Sequence, residues 1–251
     1  MRIEIWSDVV CPWCYIGKRR LEKALADFEH RDDVDVVWRS FQLDPSAPAT
    51  PSETVAEHLG RKYGGGPEAG QQMIDRVEAV AAEEGLVFRL GQAQRVGTVD
   101  AHRLLHAAGD ERGKLKEALL HAYFVEARNV ADHDVLLEVA GETGLDPEVT
   151  RRVLNSAQHV DAVEADIRQA AAYGATGVPF FVIDGRYAIS GAQPVEVFAE
   201  TIERAWAQSQ ASGPTLVATT SDDACGPDGC EVPDASEGHL IDNRQIQIHW
   251  L

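Results

Sequence analysis

Polar and apolar residues alternate from Arg2 to Trp6, with Ile3 and Ile5 on one side, which predicts a short strand running into Val9-Val10. Directly afterwards the apolar spacing becomes helical, with Ile16, Leu21, Leu25 and Phe28 on one face, so a helix is expected from Cys11 to about Phe28. Val34 to Phe41 is β-branched and partly alternating and predicts a second strand. Asp44 to Pro51, with three prolines, reads as a loop. From Ser52 to about Ala172 alanine-rich amphipathic stretches broken by glycines predict five to seven helices, Leu86-Val87-Phe88 being the one weak strand candidate. Phe180 to Ile183, a turn at Asp184-Gly185, and Arg186 to Ser190 form a hairpin pattern. A closing helix is expected from Pro194 to about Gln210, with Pro194 in its first turn.

Strand-helix-strand, a helical block, then hairpin-helix is the order of an α/β sheet domain over 1–51 and 173–210, interrupted by a helical insertion domain over 52–172. From Ala211 the chain turns to Ser, Thr, Gly, Pro and Asp, marking a C-terminal extension over 211–251 whose last residues, Arg244 to Leu251, are apolar enough to add a strand. At 251 residues the chain can bury a full core, and 44% apolar with 25% charged residues is ordinary for a globular protein. The net charge of −18 weighs against nucleic acid and anionic membrane surfaces as partners, because their phosphates repel it. Residues 1–8 lack the apolar core of a signal peptide, and no apolar run approaches the roughly 18 residues of a membrane span. A cytoplasmic protein is therefore expected.

In a reducing compartment the four cysteines, at 11, 14, 225 and 230, suggest redox chemistry or metal binding rather than a disulfide framework. Cys11-Pro12-Trp13-Cys14 follows a strand and opens a helix. With Cys11 as N-cap and Pro12 as first helical residue, the free amides of Trp13 and Cys14 and the helix dipole favour a thiolate on Cys11. Disulfide exchange needs one such exposed, ionised thiol and a second, shielded thiol to resolve the mixed disulfide, the place expected of Cys14. Gly177-Val178-Pro179 stands immediately before a strand, where Pro179 can be an ordinary trans proline or a special feature.

The run Ser7-Asp8-Val9-Val10-Cys11-Pro12-Trp13-Cys14-Tyr15-Ile16-Gly17 resembles the start of the DsbA-like family, in particular its cytoplasmic FrnE-type branch. Gly177 to Val182, Ser190 to Gln193 and Thr98 to Leu104 are similar to the same branch, although Gly97 stands where the family often has Asn. The resemblance covers about residues 1–210. It implies a thioredoxin-like fold with a large helical insertion, and disulfide exchange with Cys11 as nucleophile and Cys14 as resolver. It further implies a cis Val178–Pro179 bond that leaves the Val178 backbone free to pair with substrate. Trp13 replaces the histidine of periplasmic relatives, and losing that cation should make the pair less strongly oxidising. No cofactor or metal is expected, and the partners implied are protein or small-molecule disulfides and dithiols, with glutathione as a candidate.

Cys225 and Cys230 enclose Gly-Pro-Asp-Gly, a turn signal that can bring two thiols within disulfide reach. Similar tail pairs occur in some FrnE-type members, which implies an auxiliary redox pair; a local disulfide or an idle pair is the plainer alternative. Two rival readings remain for the whole chain. Kappa-class glutathione transferases and chromenecarboxylate isomerases share the layout but carry serine at the position of Cys11. A four-cysteine zinc site has suitable spacing in each half, but a cis proline beside Cys11 would obstruct it. His102 and His106 share a helix face without the glutamate or third ligand of a zinc-protease motif, and they read, like His121 and Tyr123, as packing or surface residues.

Overall fold

A computed structural model describes residues 1–211, and residues 1–210 form one compact unit. Its sheet has the order β2-β1-β3-β4. β1 (Arg2–Ser7) pairs parallel with β2 (Asp35–Ser40), and α1 (Pro12–Ala26) makes the crossover between them. On its other side β1 pairs antiparallel with β3 (Phe180–Ile183), which forms the hairpin with β4 (Tyr187–Ser190). Ile5 stands opposite Trp38 on one side and Phe181 on the other, so the central strand brings three apolar residues into one row.

Both faces of the sheet are covered, which is why β1 is buried from Ile3 to Ser7 despite its alternating pattern. On one face Ile3, Ile5, Phe181 and Ile183 meet Leu21 of α1 and Phe198 and Ile202 of α9 (Val195–Ala211). On the other, Trp6, Phe180 and Val182 meet Ala170 of α8 (Val160–Ala172), and Trp6 Nε1 donates to the Asp166 carbonyl at 2.8 Å. The insertion supplies α2 (Val55–Tyr63), α3 (Gly66–Glu83), α4 (Val99–Ala107), α5 (Arg112–Phe124), α6 (His133–Glu142), α7 (Pro147–Leu154) and α8. Seven helices fall within the expected five to seven. Their core takes in Val9, Tyr15 and Ile16, so the insertion shares its interior with the segment that opens α1.

Several boundaries move for identifiable reasons. β1 stops at Ser7, because the Asp8 carboxylate accepts the Val9 amide at 2.7 Å and turns the chain, so Val9-Val10 do not extend the strand. Leu86-Val87-Phe88 is not a strand. Gly85 (φ 79°) ends α3, the Leu86 N–H bonds back to Ala81 at 2.9 Å, and Phe88 stacks on Phe124 at 4.6 Å. Pro194 precedes α9 rather than sitting in its first turn; its carbonyl accepts the Val197 N–H at 3.1 Å.

Candidate active site

The start of α1 places the two cysteines. Cys11 is the N-cap with extended backbone (φ −94°, ψ 114°), Pro12 takes the first helical position, and the Cys14 N–H donates to the Cys11 carbonyl at 3.0 Å. Pro12 gives up no hydrogen bond there, since that amide has no intrahelical partner. Both cysteines are free thiols. The loop before β3 faces them: Val178–Pro179 is cis, and Cys11 Sγ lies 3.4 Å from the Val178 carbonyl oxygen. Pro179 packs against Gly17 of α1, where a Cβ would come within 3.1 Å of the proline ring. Cys11, Cys14 and Val178 share an apolar cluster with Trp6 and Phe180, and Trp13, Phe41 and Ala175 pack around it. The six residues Cys11, Pro12, Trp13, Cys14, Val178 and Pro179 thus come together. Cys225 and Cys230 lie outside the described residues.

Two expectations about the thiols are corrected. Cys11 is only 3% exposed, against 1% for Cys14, so the open thiol expected at Cys11 is instead covered by its apolar neighbours. The charge also sits differently. The hydrogen bond to Cys14, burial and repulsion from the Cys14 charge push the Cys11 pKa well above that of an ordinary thiol. Burial opposes ionisation of Cys14 too, but the hydrogen bond from Cys11, the Lys116 ammonium, Ser7 and the Asp8 backbone outweigh it and hold the Cys14 pKa down. The two thiols therefore titrate as one coupled pair, whose first ionisation belongs to both. The Cys14 backbone N–H does favour a thiolate on Cys11, but burial and the Cys14 thiol outweigh it.

The reason is a group of polar residues behind the cysteines that the sequence reading did not assign to the site. Ser7, Asp8, His102 and Lys116 are all buried. Asp8 accepts three hydrogen bonds, from the amides of Val9 and Leu43, each at 2.7 Å, and from His102 Nε2 at 3.1 Å. Burial alone would raise the Asp8 pKa; His102, Leu43 and Lys116 lower it below the usual carboxylate value. His102, held neutral by burial, keeps an unpartnered Nδ1. Ser7 Oγ is likewise unpartnered but lies close enough to Cys14 to favour its thiolate. His106 belongs to a different cluster, with its Nε2 at 3.1 Å from both Ser40 Oγ and Asp166. The two histidines address different carboxylates, and among the described residues no group of three or more His, Cys, Asp or Glu is placed to hold a metal ion.

A four-stranded sheet of this topology, with a Cys-x-x-Cys helix start facing a cis proline and a helical block inserted after β2, defines a thioredoxin-fold protein. The chain belongs to the DsbA-like thioredoxin-domain family, whose pattern matches residues 2–203. It is similar to the probable DsbA oxidoreductase SCO1869 of Streptomyces coelicolor, a solved structure 47% identical, with a TM-score of 0.80 over 93% of this chain and all of that one. It is 27% identical to the uncharacterised protein YwbO of Bacillus subtilis over 80% of this chain and 96% of that protein. The cytosolic disulfide reductase DsbM of Pseudomonas aeruginosa, solved with GSH, shares the fold at 18% identity and a TM-score of 0.56, covering 84% of this chain and 99% of DsbM.

Proposed function

We propose that this chain catalyses thiol–disulfide exchange through Cys11 and Cys14, acting on protein or small-molecule disulfides and dithiols, with glutathione among the candidate partners. The class of activity, that of a DsbA-like thiol–disulfide oxidoreductase, rests on membership of the family and on likeness to an oxidoreductase at 47% identity. The narrower placement in the FrnE-type branch and in the cytoplasm belongs to the proposal, the latter to be checked by cell fractionation.

The observation that carries the reading is the position of Cys11, at the helix start and 3.4 Å from the carbonyl of the cis-proline loop. One S–H proton on Cys11 can bond either Cys14 or Val178. Passing that proton to Cys14 leaves the thiolate on Cys11, at the N-terminal end of α1. Cys11 then attacks a substrate disulfide, forming one S–S bond as another breaks, and the first substrate sulfur leaves as a thiolate. Cys14 gives its proton to the departed substrate thiolate and, as a thiolate, attacks Cys11 Sγ, closing the Cys11–Cys14 disulfide and releasing the second substrate sulfur. The substrate is reduced by two electrons and the protein oxidised by two; the reverse sequence oxidises a dithiol. Val178, beside Cys11, offers its backbone to an extended substrate.

Trapping tests the assignment. Cys14→Ser should accumulate mixed disulfides with a model substrate and Cys11→Ser should accumulate none. Insulin-reduction activity that survives Cys11→Ser would overturn it.

A further inference from the structure

Lys116 sits in α5, on the inserted helical block, yet is only 1% exposed. Its ammonium makes one hydrogen bond, Nζ donating to the Ser7 carbonyl at 3.2 Å, and lies 5.8 Å from the centre of the Trp38 ring. Among the described residues no carboxylate stands in ion-pair contact with it. Asp8, a buried acid whose charge favours the ammonium, already accepts from two amides and from His102. A buried ammonium without an anion is strongly disfavoured. The strongest of the surrounding charges that favours this one is Cys14, ahead of Asp8 and Cys11.

We propose that Lys116 is the counter-ion of the redox-centre thiolate, a residue of the insertion that holds negative charge on Cys14 and so sets how readily Cys14 resolves a mixed disulfide. The inference rests on the exchange reading above and deepens it. In the resolving step the Cys14 thiolate supplies the electron pair for the new Cys11–Cys14 bond, the Cys11–substrate bond breaks, and the substrate sulfur leaves with the displaced pair. A cation beside Cys14 keeps the attacking form populated. Once the disulfide has closed Cys14 carries no charge, and Lys116 keeps only Asp8 as an anion. Proton binding at Lys116 and reduction of the disulfide therefore strengthen each other. Burial holds the Lys116 pKa down, to about 8 in the dithiol form, against the pull of Cys14, Asp8 and Cys11; Lys18 of α1 lowers it further, and the neutral His102 of α4 faces the same cluster.

The test is a pH titration of thiolate ultraviolet absorbance on the reduced full chain, comparing wild type with Lys116→Met and Lys116→Gln. In either folded variant the first thiolate pKa should rise by about one unit or more, roughly tenfold less thiolate at a given pH. Single-turnover reaction with a small disulfide should show the mixed disulfide accumulating although Cys14 is present. An unchanged thiolate pKa in a folded variant overturns the proposal. Should both variants fail to fold, the wild type decides by NMR of isotope-labelled lysine. The Lys116 proton affinity should be higher in the dithiol than in the disulfide form, and equal affinities overturn the proposal. A wild type that exchanges no disulfides would sink the functional reading alone, since the titration reads the counter-ion without turnover.

Discussion

His102 is fully buried against Asp8, and burial holds its pKa below that of a free histidine. The folded protein thus binds a proton there less readily than the unfolded chain does. The associated stability is complete above the unfolded pKa of about 6.5 and is lost as pH falls from there towards the lower folded value. Asp8 acts further down the scale: its lowered pKa contributes stability above about 3.9 that is lost as pH falls below it. Urea unfolding of the wild type should show a free energy that declines from pH 7 to pH 5. His102→Gln should be less stable at pH 7 and show a shallower decline, though not a flat one, because the His159 pKa is also lowered by burial. Equal slopes in the two proteins would mean that His102 is not the titrating group. The same residues show what the sequence made legible. Cys11, Cys14 and Pro179 stand out because their meaning is local: a helix start and a strand start. Asp8 and His102 lie inside the runs 7–17 and 98–104 that carried the family resemblance, but nothing in either run shows that they meet. Lys116, between Leu115 and Glu117, reads as a solvated helix position and is buried only because α5 is covered on nearly all sides.

Helix existence was readable from periodicity, whereas the way two helices meet was not, and α2 with α3 shows the difference. A Cβ at Gly70 would stand 2.0 Å from the Ala56 carbonyl oxygen, and one at Gly60 would stand 1.9 Å from the Gly66 carbonyl oxygen. Backbone therefore touches backbone at this crossing, and a glycine that looks like a helix breaker is a contact surface. Gly141, near the end of α6, has open space where its Cβ would be. Alanine in place of a helical glycine ordinarily stabilises by about 0.5–1 kcal/mol. Gly141→Ala should show that gain in thermal or urea unfolding. Gly70→Ala should reverse the sign and cost about 1–3 kcal/mol, because the rigid carbonyl cannot move aside without separating the helices. Two substitutions identical in chemistry would then differ in sign through packing alone; a stabilised Gly70→Ala would refute the close crossing. Phe88 makes the same point from the other direction: its apolar run suggests a strand, but its ring is used on Tyr15 and Phe124, bringing the insertion onto α1.

At the scale of the whole molecule, the family match ends at residue 203 and leaves the cysteine pair of the extension outside it. Seven acidic residues (Asp222, Asp223, Asp228, Glu231, Asp234, Glu237 and Asp242) surround Cys225 and Cys230, against a single Arg244. Such surroundings disfavour a thiolate, so this pair is expected to be a poor attacker, whereas a disulfide between the two would stay open to attack by another thiol. The buried centre is the opposite case, with the Lys116 ammonium, Ser7 and the Asp8 backbone favouring a thiolate on Cys14. We therefore predict that exchange between the pairs begins at the centre: Cys11 would attack a Cys225–Cys230 disulfide, and Cys14 would then release the tail as a dithiol. Replacing both tail cysteines with serine should slow steady-state turnover or recycling severalfold and leave the thiolate titration of the Cys11–Cys14 pair unchanged. Mass spectrometry of the Cys14→Ser protein should detect a Cys11–Cys225 or Cys11–Cys230 crosslink. Turnover that is unaffected with every oxidant and reductant tried, together with no crosslink, would make the tail pair a bystander to the redox centre.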